Sequence, residues 1–358
     1  MAGSTPGVGK RLPEPTSVLD NPDLLSDKAE FGSHVALAAE VRAVANAESE
    51  EIAERALAAA FAAADSVERL VSLNREGSEL RAINDAAGQI PVVVSPWTER
   101  IVLVTVRWAD RTGGAFEPTI GPLAELWGFG GEVDRAPTPE ELRQALSRVS
   151  YSKVEIDTEA HTIFLTEAGM RLDVRGAAKG FALDRMREAM LEAGATAGIM
   201  DFAGEMLFFG PGPENGLWPV QLVDPYDPSR NYAYLLLPPG SLSTSSFYDR
   251  SVEIGGKRYG HVIDPRTGQP ISGMASVSVY SNEGVVADIV ATGLFVVSCR
   301  EGPQCTEAAA IVERYPELNA IIVPEPAPGD NALVTVTSGM RPHVVRLQRP
   351  FRPPAEPD

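Results

Sequence analysis

The segment ADIVATG, residues 287–293, places a carboxylate and a hydroxyl four positions apart. In the helix predicted for VVADIVATGLFVVS, Asp288 and Thr292 therefore lie on one face. Two hard oxygen groups on one face suit Mg²⁺, which takes few protein ligands and completes its octahedron with water and phosphate oxygens. The ordinary alternative is a first-turn acid favoured by the helix dipole, with a threonine that bonds back to its own helix. Taken alone, the segment favours that alternative.

A second polar segment, DVRGAAKGFALD at residues 173–184, carries Lys179 at the start of a predicted helix. The N–H groups of a helix N-terminus and a nearby lysine together attract phosphate. A solvated surface lysine is the alternative, and it is less expected within the apolar stretch GAAKGFAL. The segment therefore indicates a phosphate contact.

His261, one of four histidines, precedes a tight turn in GHVIDPRTGQP, residues 260–270. In this turn the proline can set φ, Asp264 and Thr267 can hydrogen-bond the backbone, and Gly268 can supply a positive φ. An imidazole at this place could also accept a proton from a reacting hydroxyl. Without other groups beside it, the turn interpretation is the stronger one.

Helices and β-hairpins are mixed along the chain, which favours an α+β fold with largely antiparallel sheets over a doubly wound fold. In the predicted helix TPEELRQALSRV, Thr138 is the N-cap and Glu141 completes a capping box. Further helices are predicted for 48–71, from near Ser95 to the glycines at 113 and 114, and for KGFALDRMREAMLEAG, and strands for KVEIDTEAHTIFLTEAGMRLDV, AGIMDFAGEMLFFG, LWPVQLVD, NYAYLLLPPGSLSTS, SVEIGGKRYGHVID, ASVSVYS, NAIIVP and LVTVTS.

Composition limits the possible functions. The chain has 358 residues, 44% hydrophobic content and a net charge of −18, so it can form a large core but presents no basic surface for nucleic acid. No stretch reaches the roughly 18 apolar residues of a membrane span, and no signal-peptide core is visible. As written, the chain is expected to be cytoplasmic. Cys299 and Cys305 have no nearby histidine and do not form a zinc site. Buried or inert thiols are favoured over a local disulfide between them.

The ends of the chain differ from its middle. Residues 1–27 and the Pro-rich residues 346–358 lack periodicity and are predicted to be a disordered leader and tail. One ordered domain is expected between them, over residues 28–345.

Taken with GGAFEPTIGPLAELWGFG (113–130) and STSSFYDR (243–250), the segments above resemble the motifs of the ApbE family of FAD:protein FMN transferases. Five motifs occur in the family's order, and the resemblance extends from about Phe31 to about Ser338. It implies a two-lobed domain of largely antiparallel sheets flanked by helices, with a flavin site in the cleft. It also implies Mg²⁺-dependent transfer of FMN from FAD to a Thr or Ser hydroxyl of a target flavoprotein, with release of AMP.

The resemblance also assigns site residues. It places His261 near the FAD diphosphate, as a catalytic base or as a residue that orients the substrate, and it makes Asp288 catalytic as well as metal-binding. The metal would be held by Gly176 through its carbonyl and by Asp288, Ala291 and Thr292. The residues implied to bind FAD are Phe31, Asn74, Ala115, Phe116, Glu117, Asp173, Lys179 and Ile263.

Several residues depart from the family pattern. Glu117 stands in place of an aspartate, Arg175 and Ser246 in place of glycines, and AGE at 203–205 in place of Gly-Gly-Asn/Asp. Asn74 stands where a tyrosine is usual, which removes a stacking face for FAD. Arg175 could bind phosphate or occupy the place of the metal. These departures leave open an FAD pyrophosphatase that releases FMN and AMP, and a non-catalytic FAD-binding protein.

Overall fold

The fold is given by a computed structural model, which describes residues 17–128, 135–246, 251–254, 257–271, 274–301, 305–324, 333–348 and 351–352. Within these residues, no helix combines the length and apolar character that crossing a membrane requires.

The helices of the described chain agree closely with the periodicity of the sequence. Ser49 caps the first one by accepting a hydrogen bond from Ile52 N, and Thr138 and Glu141 form the predicted capping box. The helices are α1 (Glu50–Val71), α2 (Glu79–Asp85), α3 (Pro96–Arg111), α4 (Gly121–Leu126), α5 (Pro139–Leu146), α6 (Arg175–Glu192), α7 (Gly284–Glu301) and α8 (Thr306–Glu313).

The strands form one large sheet and several small ones. They are β1 (Glu30–Ala36), β2 (Ala39–Asn46), β3 (Val92–Val93), β4 (Val154–Asp157), β5 (Thr162–Leu165), β6 (Ala197–Phe202), β7 (Glu205–Phe209), β8 (Trp218–Asp224), β9 (Asp227–Leu237), β10 (Gly240–Ser246), β11 (Ser251–Ile254), β12 (Lys257–Gly260), β13 (Ile263–Asp264), β14 (Gln269–Pro270), β15 (Met274–Ser281), β16 (Asn319–Pro324), β17 (Val334–Val336), β18 (Val344–Leu347) and β19 (Phe351–Arg352).

The large sheet has the order β1-β2-β6-β7-β10-β15-β16-β17-β19 among the described residues. Its neighbours pair antiparallel except β17 and β19, which confirms the predicted α+β class. The small sheets have the orders β18-β9-β8, β3-β5-β4, β11-β12 and β13-β14.

The two faces of the large sheet build two hydrophobic cores. Successive strand residues point to opposite faces, so Phe209 packs in one core and Phe208 in the other. Helices α1, α6 and α7 cover the first face, and the sheet of β8, β9 and β18 covers the second. A third, smaller cluster joins α4 and α5 to Ile254 and Ile263. Cys305 is buried in the first core.

The described, packed chain extends beyond the predicted limits of the ordered domain, residues 28 and 345, on both sides. Val18 and Leu19 are 2% and 5% exposed and pack in the second core, so the ordered chain extends well before residue 28. At the other end, β18 continues to Leu347, and Gln348 N donates to Tyr232 O at 2.8 Å. The sequence analysis did not detect these contacts, because a few apolar residues such as Val18 and Leu19 within a Pro- and Asp-rich segment give no periodic pattern. Residues 1–16 and 353–358 lie outside the described part of the chain.

Candidate active site

Helices α6 and α7 run antiparallel and approach closely through glycines. A Cβ at Gly180 would stand 2.2 Å from Gly284 O, so only glycine fits at that position. Both backbone N–H groups at the start of α7, on Gly284 and Val285, donate to the Asp184 carboxylate at 2.8 and 2.9 Å. This cap fixes the start of α7 against α6.

The close approach brings together three of the residues that the family resemblance assigns to the metal. Gly180 N donates to Asp288 Oδ2 at 3.0 Å. Gly176 has non-helical angles, φ −80° and ψ 17°, which kink α6 at that point. A Cβ at Gly176 would stand 3.4 Å from Thr292 Oγ1. Ala291 is fully buried beside them, and its methyl group offers no ligand atom.

These groups fit a hard divalent cation. Asp288 is buried, and no described residue donates a hydrogen bond to its Oδ1. The described residues contain no cluster of three or more His, Cys, Asp or Glu side chains that could hold a metal. The available groups are one carboxylate, one hydroxyl and the backbone at a kinked glycine. Such an all-oxygen set of few protein ligands suits Mg²⁺, which keeps water and phosphate oxygens as its other ligands.

A buried ion pair lies beside Asp288. Lys179 Nζ donates to Glu205 Oε1 at 3.1 Å, and Glu205 itself is buried at the start of β7. Burial, and after it the negative charge of Glu205, raise the pKa of Asp288 to about 7, although Lys179 and the hydrogen bond from Gly180 act in the opposite direction. The carboxyl therefore holds its proton to a higher pH than an ordinary aspartate, and a cation bound beside it would favour release of that proton.

Glu205 is a site residue that the sequence analysis did not identify. Its place was visible only as the departure AGE at 203–205. The turn before it holds Ala203 at φ 52° and Gly204 at φ 92°, and Asp201 Oδ1 accepts from Gly204 N at 2.8 Å. Burial raises the pKa of Asp201 above its ordinary value. Glu205 contacts Lys179 directly, and the charge of Lys179 also acts to lower the pKa of Asp201.

The residue pair before the kink is also charged. Arg175 Nε lies 2.9 Å from both carboxylate oxygens of Asp173, and Arg175 N donates to Asp173 Oδ1 at 3.1 Å. Asp173 is buried, whereas the Arg175 side chain is 45% exposed. The carboxylate expected to contact the flavin nucleotide is therefore engaged by a guanidinium.

The segment GGAFEP, residues 113–118, lies against the same helices. The Phe116 ring is 3.3 Å from the Cβ position of Gly176, and Ala115 is buried beside it. Glu117 Oε1 accepts from Thr119 N and Oγ1 at 2.9 and 2.7 Å, and its Oε2 accepts from Tyr151 N at 3.0 Å. Burial raises the pKa of Glu117, although these bonds act against that rise. Glu117 therefore braces the turn that carries Phe116.

His261 is half-buried and leads into the turn that the sequence indicated. Asp264 O accepts from Gly268 N at 2.8 Å, and Gly268 has φ +70°. Trp127 Nε1 donates to Gly268 O at 2.7 Å, which ties the turn to α4. Ile263 is buried in the third core cluster. The turn is thus rigidly held, and the catalytic role of His261 stays a prediction.

Phe31 and Asn74 lie on other elements. Phe31 is 44% exposed on the edge strand β1, with the Arg42 guanidinium 5.7 Å from its ring centroid. Asn74 is exposed in the loop after α1, and its carbonyl accepts from Arg81 Nη1 at 3.4 Å. In the described part of the chain, neither side chain forms a hydrogen bond with α6 or α7. Their predicted contact with FAD stays a prediction.

Comparison with known proteins gives a consistent result. A sequence model of the ApbE family matches residues 31–315. The chain is 29% identical over 283 residues to an FAD:protein FMN transferase of Treponema pallidum, covering 75% of this chain and 76% of the relative. It is 30% identical over 258 residues to one from Klebsiella pneumoniae, covering 72% and 78%.

Solved structures agree in fold. The crystal structure of the ApbE protein of Thermotoga maritima has a TM-score of 0.77 and 28% identity, covering 88% of this chain and 99% of that one. The flavin transferase ApbE of Vibrio cholerae has a TM-score of 0.76 over the same shares of the two chains, and at 24% identity this likeness concerns the fold alone.

Proposed function

Because the chain belongs to the ApbE family, we propose that it transfers FMN from FAD to a Thr or Ser hydroxyl of a target flavoprotein, with Mg²⁺ as its metal and AMP as its second product. Curated relatives named FAD:protein FMN transferase support the flavin transfer. The observation that carries the proposed metal and site is the meeting of Gly176, Asp288 and Thr292 where α6 and α7 cross.

The reaction exchanges one phosphorus–oxygen bond for another. The acceptor hydroxyl oxygen bonds to the phosphorus of the FMN half of FAD, and the bond from that phosphorus to the AMP oxygen breaks. The electron pair of that bond leaves with AMP, and the proton of the hydroxyl must be accepted by a base. Two demands follow, because the diphosphate charge must be balanced and the hydroxyl must be aligned with the phosphorus.

The first demand falls on groups at the start of α6 and on one face of α7. Asp288, Thr292 and the Gly176 carbonyl would hold Mg²⁺, which when bound neutralises diphosphate charge. Gly180 N fixes one oxygen of Asp288, and the other oxygen would be the one that binds the metal. Lys179 is held in place by Glu205 and adds a positive charge at the helix N-terminus. The Phe116 ring, braced through Glu117, lies next to the kink at Gly176.

The second demand falls on His261. The turn from Asp264 to Gly268 and its hydrogen bond to Trp127 hold the backbone after His261 in one conformation. An imidazole placed beside the acceptor hydroxyl can accept its proton as the new bond forms. This role rests on the rigid setting of the residue and on the family resemblance.

Hydrolysis is a second candidate for the same site. Asn74 is solvent-exposed and has no ring to stack on the flavin. A less tightly held FAD leaves room for water in place of the acceptor hydroxyl, and the products would then be free FMN and AMP.

Product analysis separates these functions. The protein is incubated with FAD, Mg²⁺ and a flavoprotein that carries an exposed Ser or Thr acceptor. Transfer yields AMP together with flavin fluorescence that stays on the acceptor in a denaturing gel. Free FMN with AMP would indicate a pyrophosphatase, and intact FAD with bound flavin would indicate a non-catalytic binding protein.

A further inference from the structure

Arg175 introduces a cation at a place where the family pattern has glycine. It is the first residue of α6 and directly precedes the kink at Gly176. The chain carries a net charge of −18, so a guanidinium beside a proposed diphosphate site differs from its surroundings. Besides its contact with Asp173, this guanidinium is a candidate to bind a further anion.

The contacts with Asp173 fix the position of the guanidinium. Nε lies 2.9 Å from each carboxylate oxygen, and a second guanidinium nitrogen, Nη2, also contacts Oδ2. Asp173 N in turn donates to Pro118 O at 2.8 Å, which ties the carboxylate to the neighbouring loop. An arginine whose guanidinium is held by a buried carboxylate is ordered before any ligand arrives. Little side-chain entropy is then lost when it binds an anion.

This ordered guanidinium lies beside the groups that are proposed to hold the metal and the diphosphate. Gly176, the next residue, packs its Cα against Thr292 on α7. Lys179 follows one turn later and is partly buried, held by Glu205. Arg175 is more exposed, at 45% of its side chain. Two cations, each held by a carboxylate, thus flank the N-terminal turn of α6, where backbone N–H groups also attract anions.

We propose that Arg175 binds a phosphate oxygen of the FAD diphosphate and makes this chain select diphosphate-bearing flavins even without a divalent cation. The inference rests on the proposed function only for the identity of the ligand. Arg175 is then a specificity-determining residue that acts on binding. A guanidinium that only held Asp173 in place would affect FAD and riboflavin alike, because its effect would not depend on the phosphates of the ligand.

The test measures equilibrium binding of two flavins by the intact protein. Flavin fluorescence is titrated with FAD and with riboflavin, which has no phosphate, each in EDTA and in Mg²⁺. Arg175→Gln should weaken FAD binding in EDTA by about tenfold or more, the scale of a lost charge-assisted hydrogen bond. Riboflavin binding should be unchanged. Arg175→Lys keeps the charge without the planar fork and should fall between wild type and the glutamine variant.

The matched control is Arg171→Gln, which removes one positive charge from the same segment. Arg171 pairs with Glu125 at 2.8 Å instead of with Asp173, so this variant should bind FAD as the wild type does. Melting temperatures identify any variant that has lost its fold, and Arg175→Lys then provides the comparison.

Three results would overturn the inference. These are an unchanged FAD affinity of Arg175→Gln in EDTA, an equal loss of FAD and riboflavin binding, and wild-type protein that binds FAD in Mg²⁺ but not in EDTA. The last result leaves the proposed function intact. Wild-type protein that binds FAD in neither condition contradicts the proposed function as well, so the two failures are distinguishable.

Discussion

Gly180 on α6 and Gly284 on α7 are packed so closely that a Cβ on Gly180 would stand 2.2 Å from the Gly284 carbonyl oxygen. The same contact brings Gly180 N within 3.0 Å of Asp288 Oδ2. The geometry of the proposed metal site is therefore a consequence of a glycine contact between two helices. Any residue that separates the helices also displaces the carboxylate.

Gly180→Ala should destabilise the protein and weaken flavin binding together. Its Cβ would also stand 2.8 Å from Asp288 Cβ, so α6 and α7 must move apart. Overpacking of this kind costs about 1–3 kcal/mol in the free energy of unfolding, measured by urea denaturation. Glu192→Ala, at the exposed end of the same helix, should change that free energy by less than about 0.5 kcal/mol. A Gly180→Ala protein as stable as wild type would show that the helices are not in contact there.

Ala203→Gly should stabilise the protein. Ala203 has φ 52°, a left-handed conformation that costs a residue with a Cβ roughly 1–2 kcal/mol, partly offset by the greater chain entropy of glycine when unfolded. The expected gain is up to about 1 kcal/mol in the free energy of unfolding. Asn215→Gly is the control, since Asn215 has φ 54° but asparagine tolerates this region better and should gain less. A loss of stability in Ala203→Gly would exclude strain at this turn.

The Asp184 cap should make stability depend on pH. Burial is the main cause that raises the pKa of Asp184 above its ordinary value of 3.8. The folded state then holds this proton to a higher pH than the unfolded state does. The contribution of the carboxyl to stability is complete below 3.8 and is lost as the pH rises through the folded-state pKa.

Asp184→Asn removes that titration. The difference in free energy of unfolding between wild type and Asp184→Asn should therefore fall with rising pH above 3.8, measured by urea denaturation in a pH series. A difference that rises over the same window would mean that the hydrogen bonds from Gly284 and Val285, and not burial, dominate this carboxyl.

His261→Gln tests the proposed base. If His261 accepts the hydroxyl proton, turnover should fall by about a hundredfold or more while the dissociation constant of FAD changes little. The rise in activity through a pKa near that of histidine should also disappear. Steady-state kinetics and a flavin titration measure the two effects separately. A weaker FAD affinity with nearly unchanged turnover at saturation would make His261 a substrate-orienting residue.

Short-range features of this fold could be predicted from the sequence. The spacing of Asp288 and Thr292, the capping box at Thr138, and the turn that ends at Gly268 all depend on residues within one or two turns of the chain. Local periodicity and turn chemistry determine such features, and the structure has them where the sequence predicts them.

Long-range pairs could not be predicted in this way. Lys179 and Glu205 are 26 positions apart in the sequence. They meet only because β7 packs against α6. Arg175 was expected near phosphate or metal, and nothing in its neighbours indicated that its guanidinium would turn back to Asp173. Val18 was assigned to a disordered leader because one buried apolar residue leaves no periodic signal. The contacts of Glu205 and of Val18 depend on tertiary packing, whereas Arg175 and Asp173 are only two positions apart.

The most direct test of the account measures covalent FMN on an acceptor flavoprotein, together with AMP, for wild type and Asp288→Asn in the presence of FAD and Mg²⁺. The variant keeps the volume of the side chain but removes its negative charge, so its melting temperature should stay close to that of wild type. The account predicts one AMP for each FMN bound to the acceptor by wild type, as measured by mass spectrometry and chromatography, and neither product from the variant. Transfer by a folded Asp288→Asn protein at the wild-type rate would contradict it.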